Sequence, residues 1–234
     1  MIGEPDSRAA TDALLRSLRD GRWRPRAWGR FLHDATRRSL HQAARRPRAL
    51  AEVTALHAAF AAVAGPGGRT WPTVSWALSA AHLGMLEHRA SIGWPGLLTL
   101  TRANLPALGR SRWLPLLALG TDVADGRLAR ALGSVTAFGA AADSLADAAF
   151  WTWHTARHEP IRAIRAAALL AWALPVAAVT ATSVRRGGMV DAPRPVLLRP
   201  AALLQAVLTV RALTRRVRVT APGATAAAPG APSA

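Results

Sequence analysis

The sequence contains no cysteine, no tyrosine and no lysine; all 30 of its basic residues are arginine. Without cysteine there can be no disulfide, thiolate metal site or cysteine nucleophile. Acidic residues are scarce, 13 against those 30, and the formal net charge is +17. Such an imbalance calls for an anionic partner: nucleic acid, a phosphate-bearing substrate or an acidic lipid surface. The arginine-only, alanine-rich composition also fits a GC-rich coding bias, so the choice of arginine over lysine says little by itself. An apolar signal-peptide core is missing too, because the first 20 residues carry Glu4, Asp6, Asp12 and Asp20. The N-terminus is therefore expected to stay in the cytoplasm. No stretch alternates apolar and polar with period two, which leaves an all-helical reading.

Hydrophobic residues make up 51% of the chain alongside 18% charged, a combination that requires the two kinds to be segregated. Residues 1–48 are polar and rich in arginine, in runs such as Arg22-Trp23-Arg24-Pro25-Arg26 and Arg45-Arg46-Pro47-Arg48. Asp34 to Ala64 reads as helix interrupted at Pro47. No nucleic-acid module is recognisable. Residues 1–64 are therefore expected to be a basic, helical cytoplasmic or juxtamembrane extension lying against acidic headgroups. The Gly65-Pro66-Gly67-Gly68 cluster marks a turn and a boundary. It opens a membrane domain over 65–218, and an Ala/Pro/Gly-rich tail over 219–234 is expected to be disordered. Apolar stretches follow at Trp71–Leu86, Trp94–Leu108, Trp113–Ala131, Val135–Trp153, Ala166–Val184 and Pro200–Val210. Ala166–Val184 has no charge at all and is long enough for a hydrocarbon core of about 30 Å.

Between Glu87 and Glu159 the only acidic residues are Asp122, Asp125, Asp143 and Asp147. Carboxylates in apolar helices are costly and usually face a polar cavity. Asp122 and Asp125 are three apart, Asp143 and Asp147 four apart, so each pair shares a helix face. Gly133 between the pairs is a natural turn that would fold the second helix back on the first. Four converging carboxylates repel one another unless a cation lies among them. Oxygen ligands without histidine or cysteine suit a hard ion, magnesium where phosphates are handled. Two such ions about 3.5–4 Å apart would serve phosphoryl displacement. Gly126, Ala129 and Gly139 let backbones or a substrate come close.

The full pattern is Asp122-x2-Asp125-Gly126-x2-Ala129-Arg130-x8-Gly139-x3-Asp143-x3-Asp147. It resembles the signature of the CDP-alcohol phosphotransferase family, also called CDP-alcohol phosphatidyltransferases, at every position and spacing. The resemblance implies an all-α, polytopic helical membrane fold of about five to six membrane helices, dimeric, in the cytoplasmic membrane with the site facing the cytoplasm. It implies a transferase that moves a phosphoalcohol group from a CDP-alcohol, here CDP-diacylglycerol, to a small alcohol or alcohol phosphate and releases CMP. By the same resemblance Asp122, Asp125 and Asp143 bind two magnesium ions, with manganese an alternative. Asp147 contacts the second ion and is the general base. Gly126, Arg130 and Thr136 match positions that contact the CDP moiety, and Ala129 and Gly139 complete the motif.

Leu98-Thr99-Leu100-Thr101-Arg102 resembles the start of the family's first helix, where threonine and arginine lie near the nucleotide. Only 19 residues separate Arg102 from Asp122, room for about one span where the family fits two. Either the first helix is truncated or Trp71–Leu86 replaces it, and Thr99 and Arg102 are left out of the expected site. A sixth helix is not evident. His154, Arg157 and His158 have two readings, the lining of an acceptor pocket or, favoured, a headgroup-level belt with Trp151 and Trp153. Arg185 and Arg186 have two readings, a site for a phosphorylated acceptor such as glycerol 3-phosphate or, favoured, a basic loop beside a span. The competing reading is a non-catalytic membrane protein that binds or transports divalent metal through the same aspartates. Nucleic acid is not an expected partner.

Overall fold

Prolines set where several helices begin in the computed structural model of the chain. Pro25 and Pro47 stand in the first turns of α2 (Pro25–Ala44) and α3 (Pro47–Val63), and Pro115 stands in that of α6 (Leu114–Ala131). A proline there sacrifices no helical hydrogen bond and presets φ. The remaining helices are α1 (Ser7–Asp20), α4 (Thr70–Ala81), α5 (Gly93–Asn104), α7 (Ala137–His158), α8 (Arg162–Arg186) and α9 (Pro195–Thr214). Short 3₁₀ turns, Leu83–Leu86 and Leu105–Leu108, follow α4 and α5. The structure describes residues 7–65, 67–109, 111–134, 136–190 and 195–214, with side chains from 201 onward in the last of these. The tail over 219–234 lies outside them. Among the described residues every regular element is helical.

The α3 start matches the interruption expected at Pro47, and α8 contains the charge-free stretch Ala166–Val184. The membrane count comes out lower than expected. Among the described residues α8 alone is long and apolar enough to cross a membrane, and Ala201–Thr214 of α9 is a shorter apolar helix. The physical reasons are plain in the other segments. With 12 residues α5 reaches only about 18 Å, at about 1.5 Å per residue, and α6 and α7 each carry two aspartates.

Two apolar clusters flank the region where the aspartates meet. In the first, Ala43, Ala49 and Val53 of α2 and α3 pack with Leu83, Leu86, Leu100 and Phe138. Glu52 of α3 accepts hydrogen bonds from Ser91 Oγ at 2.8 Å and Ile92 N at 3.0 Å, which ties α3 to the start of α5. The second cluster joins α6 to α9 through Leu114, Phe150, Trp151, Ala168, Trp172 and Leu208. Trp151 and Trp172 stack with centroids 5.9 Å apart and planes 9° apart, a pair worth about 0.5–1.5 kcal/mol beyond area burial.

Trp151 is only 1% exposed, so it is not part of the expected headgroup belt. It lies one turn beyond Asp147, on the helix face that already turns inward. His154 is likewise buried and stacks on Phe150 at 6.0 Å. At the other end of the chain α1 docks on the end of α8. Asp12 Oδ1 accepts from Met189 N at 2.6 Å, and Arg19 Nη1 donates to the Arg186 carbonyl at 2.9 Å, satisfying an end-of-helix acceptor.

Candidate active site

The α6–α7 connection sets the geometry. Gly133 takes φ +54°, a left-handed conformation that costs glycine nothing. Ser134 N then closes on the Ala129 carbonyl at 2.9 Å, and Arg89 Nη2 pins the Gly133 carbonyl at 3.0 Å. Thr136 caps α7, its Oγ1 accepting from Gly139 N at 2.9 Å. A Cβ at position 139 would come within 3.2 Å of that hydroxyl, so glycine leaves the cap room. Together the turn and the cap bring the faces that carry Asp122, Asp125, Asp143 and Asp147 toward one point.

At that point stands a residue from a third helix. The Arg102 side chain of α5 is wholly buried, 0% exposed, and contacts all four carboxylates. Nη1 reaches Asp122 Oδ1 at 2.6 Å, while Nη2 lies 3.3 Å from Asp125 Oδ2 and also contacts Asp143 Oδ1. Nε is 3.1 Å from Asp147 Oδ1. Thr99, one turn earlier on α5, donates Oγ1 to Asp125 Oδ2 at 2.7 Å. From α9, Gln205 Nε2 donates to Asp147 Oδ2 at 3.1 Å. Asp125 is buried, whereas the side chains of Asp122 and Asp143 are 35% and 45% exposed, so solvent reaches the cluster on their side.

One guanidinium against four carboxylates leaves the cluster strongly negative. One oxygen from each of Asp122, Asp125 and Asp143 lies within 4.8 Å of the other two. Asp147 Oδ1 is buried and accepts no hydrogen bond of acceptable angle, despite its nearness to Arg102 Nε. A compact oxygen-only donor set with an unspent carboxylate oxygen beside it fits a hard divalent cation. Arg130 lies over Gly126, where an added Cβ would be 3.4 Å from its Nη1, and its side chain is exposed.

Of the residues singled out in the sequence, the four aspartates come together, with Gly126 and Arg130 next to Asp125. Thr136, Ala129 and Gly139 build the turn and the cap behind them. Arg157 lies ten residues beyond Asp147 on α7, about 15 Å along the axis. Three site residues were missed: Thr99, Arg102 and Gln205. The first two sat in a segment whose likeness to the family was visible, and Gln205 was a lone amide in the apolar run of α9.

Comparison with known proteins agrees with this geometry. The family model for CDP-alcohol phosphatidyltransferase matches residues 95–226, more than half of the 234-residue chain. No curated protein and no solved structure matches it. The matched segment opens at Pro95, on α5, so it takes in Thr99 and Arg102 as well as the four aspartates and Gln205. Every residue that contributes a side chain to the carboxylate cluster thus falls inside the match, and the chain belongs to the CDP-alcohol phosphatidyltransferase family.

Proposed function

We propose that this chain is a magnesium-dependent membrane transferase that moves a phosphatidyl group from CDP-diacylglycerol to a small alcohol or alcohol phosphate, with release of CMP. The observation that carries the reading is the convergence of four carboxylates from two helices on one point. Family membership supports phosphoalcohol transfer from a CDP-alcohol, and the donor and acceptor named here go a step beyond it.

Asp122, Asp125 and Asp143 would hold two divalent cations, with Asp147 reaching the second. When bound, the ions neutralise the donor's diphosphate and the charge that builds on it in the transition state. Asp147 is the general base: its carboxylate takes the proton of the acceptor hydroxyl, while Gln205 holds Oδ2 and Arg102 faces Oδ1. The hydroxyl oxygen forms a bond to the alcohol-side phosphorus, the bond from that phosphorus to the bridging oxygen breaks, and CMP leaves with the electron pair. Arg130 clamps a phosphate through its guanidinium fork, which lysine could not reproduce. Gly126 leaves room for the nucleotide, and the Thr136 hydroxyl, whose oxygen caps α7, still has its hydrogen to donate to the CDP part. Arg102 acts as a positioning residue that spaces the four carboxylates.

The same reading places residues 65–218 in the cytoplasmic membrane as a multi-pass domain, with the site on the cytoplasmic side and a homodimer as the working unit. Residues 1–64 form its basic cytoplasmic face. Outward-facing Leu170 and Leu174 on α8, both more than half exposed, support lipid contact.

The test is CMP release by the purified protein from CDP-diacylglycerol across a panel of alcohols, with magnesium and with EDTA. Near-wild-type turnover by Asp147→Ala would sink the base assignment. Magnesium binding without any nucleotide binding would favour a non-catalytic metal protein instead.

A further inference from the structure

A cavity of about 870 Å³ lies between α4 and α7, on a different side of the molecule's central helices from the carboxylates. Its floor is α5, through Leu100 and Ala103, which follow Thr99 and Arg102 by one residue and so point about 100° away from them. On α7 it is lined by Leu145, Ala149 and Trp153, and on α4 by Val74 and Leu78. None of the four aspartates, nor Thr99, nor Arg102, lines it.

Most polar side chains that reach the wall from α4 and the turn after it are already spent within the fold, the exposed Thr70 hydroxyl at the start of α4 being the exception. Trp71 Nε1 donates to the Ala103 carbonyl at 2.8 Å, and Ser79 Oγ to the Ser75 carbonyl at 2.8 Å. Ser75 Oγ pairs with His57 Nε2 at 2.9 Å and Asn104 Nδ2 at 3.2 Å, and His82 Nδ1 with the Leu78 carbonyl at 2.7 Å. A wall whose polar groups are mostly satisfied, open along Val74 and Leu78, favours hydrocarbon over a polar ligand. The cavity is also elongated. Phe138, at the start of α7, packs with Leu83 and Leu86 just beyond the end of α4, so the two helices run antiparallel along it. The 12 residues of α4 give a wall of about 18 Å. That is close to the ~15 Å that half of a ~30 Å hydrocarbon core allots to a lipid chain. Arg157, exposed near the end of α7, supplies a cation at one end.

We propose that this cavity binds an anionic glycerophospholipid, one hydrocarbon chain lying between α4 and α7 and the head paired with Arg157. The site is separate from that of the donor's diphosphate. Its α4 wall lies outside the segment 95–226 that matches the family. The inference rests on the membrane location proposed above and is independent of the transferase chemistry.

The experiment uses the full chain in phosphatidylcholine nanodiscs with a trace of phosphatidic acid that carries a diazirine in mid-chain, and maps the adducts by mass spectrometry. Adducts should concentrate on α4 and α7, several-fold above those on Leu170 and Leu174 of α8. Ala149→Trp, which fills the cavity, should cut the cavity adducts about tenfold, and Leu145→Trp, at a half-exposed position, carries the same test if the first variant fails to fold. Arg157→Ala should reduce labelling by phosphatidic acid several-fold and leave labelling by a diazirine phosphatidylcholine unchanged. Even labelling of α8 and the cavity, or indifference to both tryptophan variants, overturns the proposal. So does displacement of the probe by CDP-diacylglycerol with magnesium, which would make this the donor's tail site. Because the chain has no cysteine, Val74→Cys adds one further check. Rapid disulfide dimerisation through it would assign the face to a second copy and refute lipid binding. Cavity labelling in a protein that releases no CMP would uphold this inference while the transferase reading fell.

Discussion

Replacing Arg102 by alanine removes the cation that touches all four carboxylates, and the cost can be bounded from the site itself. Breaking a buried ion pair from one side typically costs about 3–5 kcal/mol, because a charge is left in a poorly solvated place. Here the guanidinium is fully buried, but Asp122 and Asp143 are 35% and 45% exposed, and water would resolvate part of what it leaves. The loss should therefore sit near the lower end, about 3 kcal/mol, when no divalent ion is present. For a chain of this size about 2–4 °C per kcal/mol applies, so the melting temperature should fall by about 6–12 °C. The chain's nine tryptophans allow unfolding to be followed by emission in detergent with EDTA. Magnesium should then stabilise the variant more than the wild type, because the competing positive charge is gone. A tenfold gain in affinity would appear as about 1.4 kcal/mol of extra stabilisation under saturating ion. Arg102→Lys keeps the charge without the planar fork and should fall between the two. A variant that melts within about 2 °C of wild type in EDTA, or that gains no more than wild type from magnesium, would refute this account of the cluster.

Asp147→Asn should lower CMP release by about 10²–10⁴-fold, the usual worth of a positioned base, while CDP-alcohol binding measured by calorimetry stays within a few-fold. Thr136→Ala should cost about 1 kcal/mol through loss of the α7 cap, with Thr136→Ser close to wild type, as read from thermal unfolding. His57, buried on α3 with Nδ1 2.7 Å from the Val53 carbonyl, has its pKa held below the ordinary imidazole value by burial. The unfolded chain therefore binds the proton more readily. This stability is fully present above about pH 6.5 and is lost as the pH falls below that. Melting temperature should decline from pH 7.5 to 5.5, and His57→Gln should flatten that decline; an unchanged slope would remove His57 as its source.

Helices, their breaks at proline and the pairing of the aspartates were legible because each rests on local chemistry: Pro47 has no amide hydrogen to give, and residues three or four apart share a face. The weight of Arg102 was not. Its segment resembles the start of the family's first helix, but the 19 residues before Asp122 are too few for two membrane crossings. The structure shows why that count misleads. A 3₁₀ turn and a short link return the chain to α6 after only 12 helical residues, and Thr99 and Arg102, three apart, need only a face and not a span to meet the aspartates. Gln205 reaches Asp147 across 58 residues, a contact that no local pattern encodes. Trp151 failed differently. Its spacing from Asp147 put it on the inward face, and the sequence habit of aromatic residues at membrane borders concealed what the periodicity already said.

The charge of the cluster sets an order of binding. When all four are ionised, four carboxylates against one guanidinium leave three negative charges in excess, and a donor diphosphate approaching that field is repelled. Two divalent cations would turn the excess to a single positive charge, which attracts the diphosphate instead. Arg130, exposed beside Gly126, cannot do this alone, because one further positive charge still leaves the site negative. Donor affinity should therefore depend on the cation and not only on Arg130, with CDP-alcohol binding weakened at least tenfold by EDTA. Arg102→Ala should weaken the metal-free interaction further, since it deepens the negative field, and should weaken the magnesium-loaded one much less. If the metal-free protein binds the CDP-alcohol as tightly as the loaded one, the carboxylates are not where the diphosphate goes. The nucleotide would then have to be held elsewhere in the bundle.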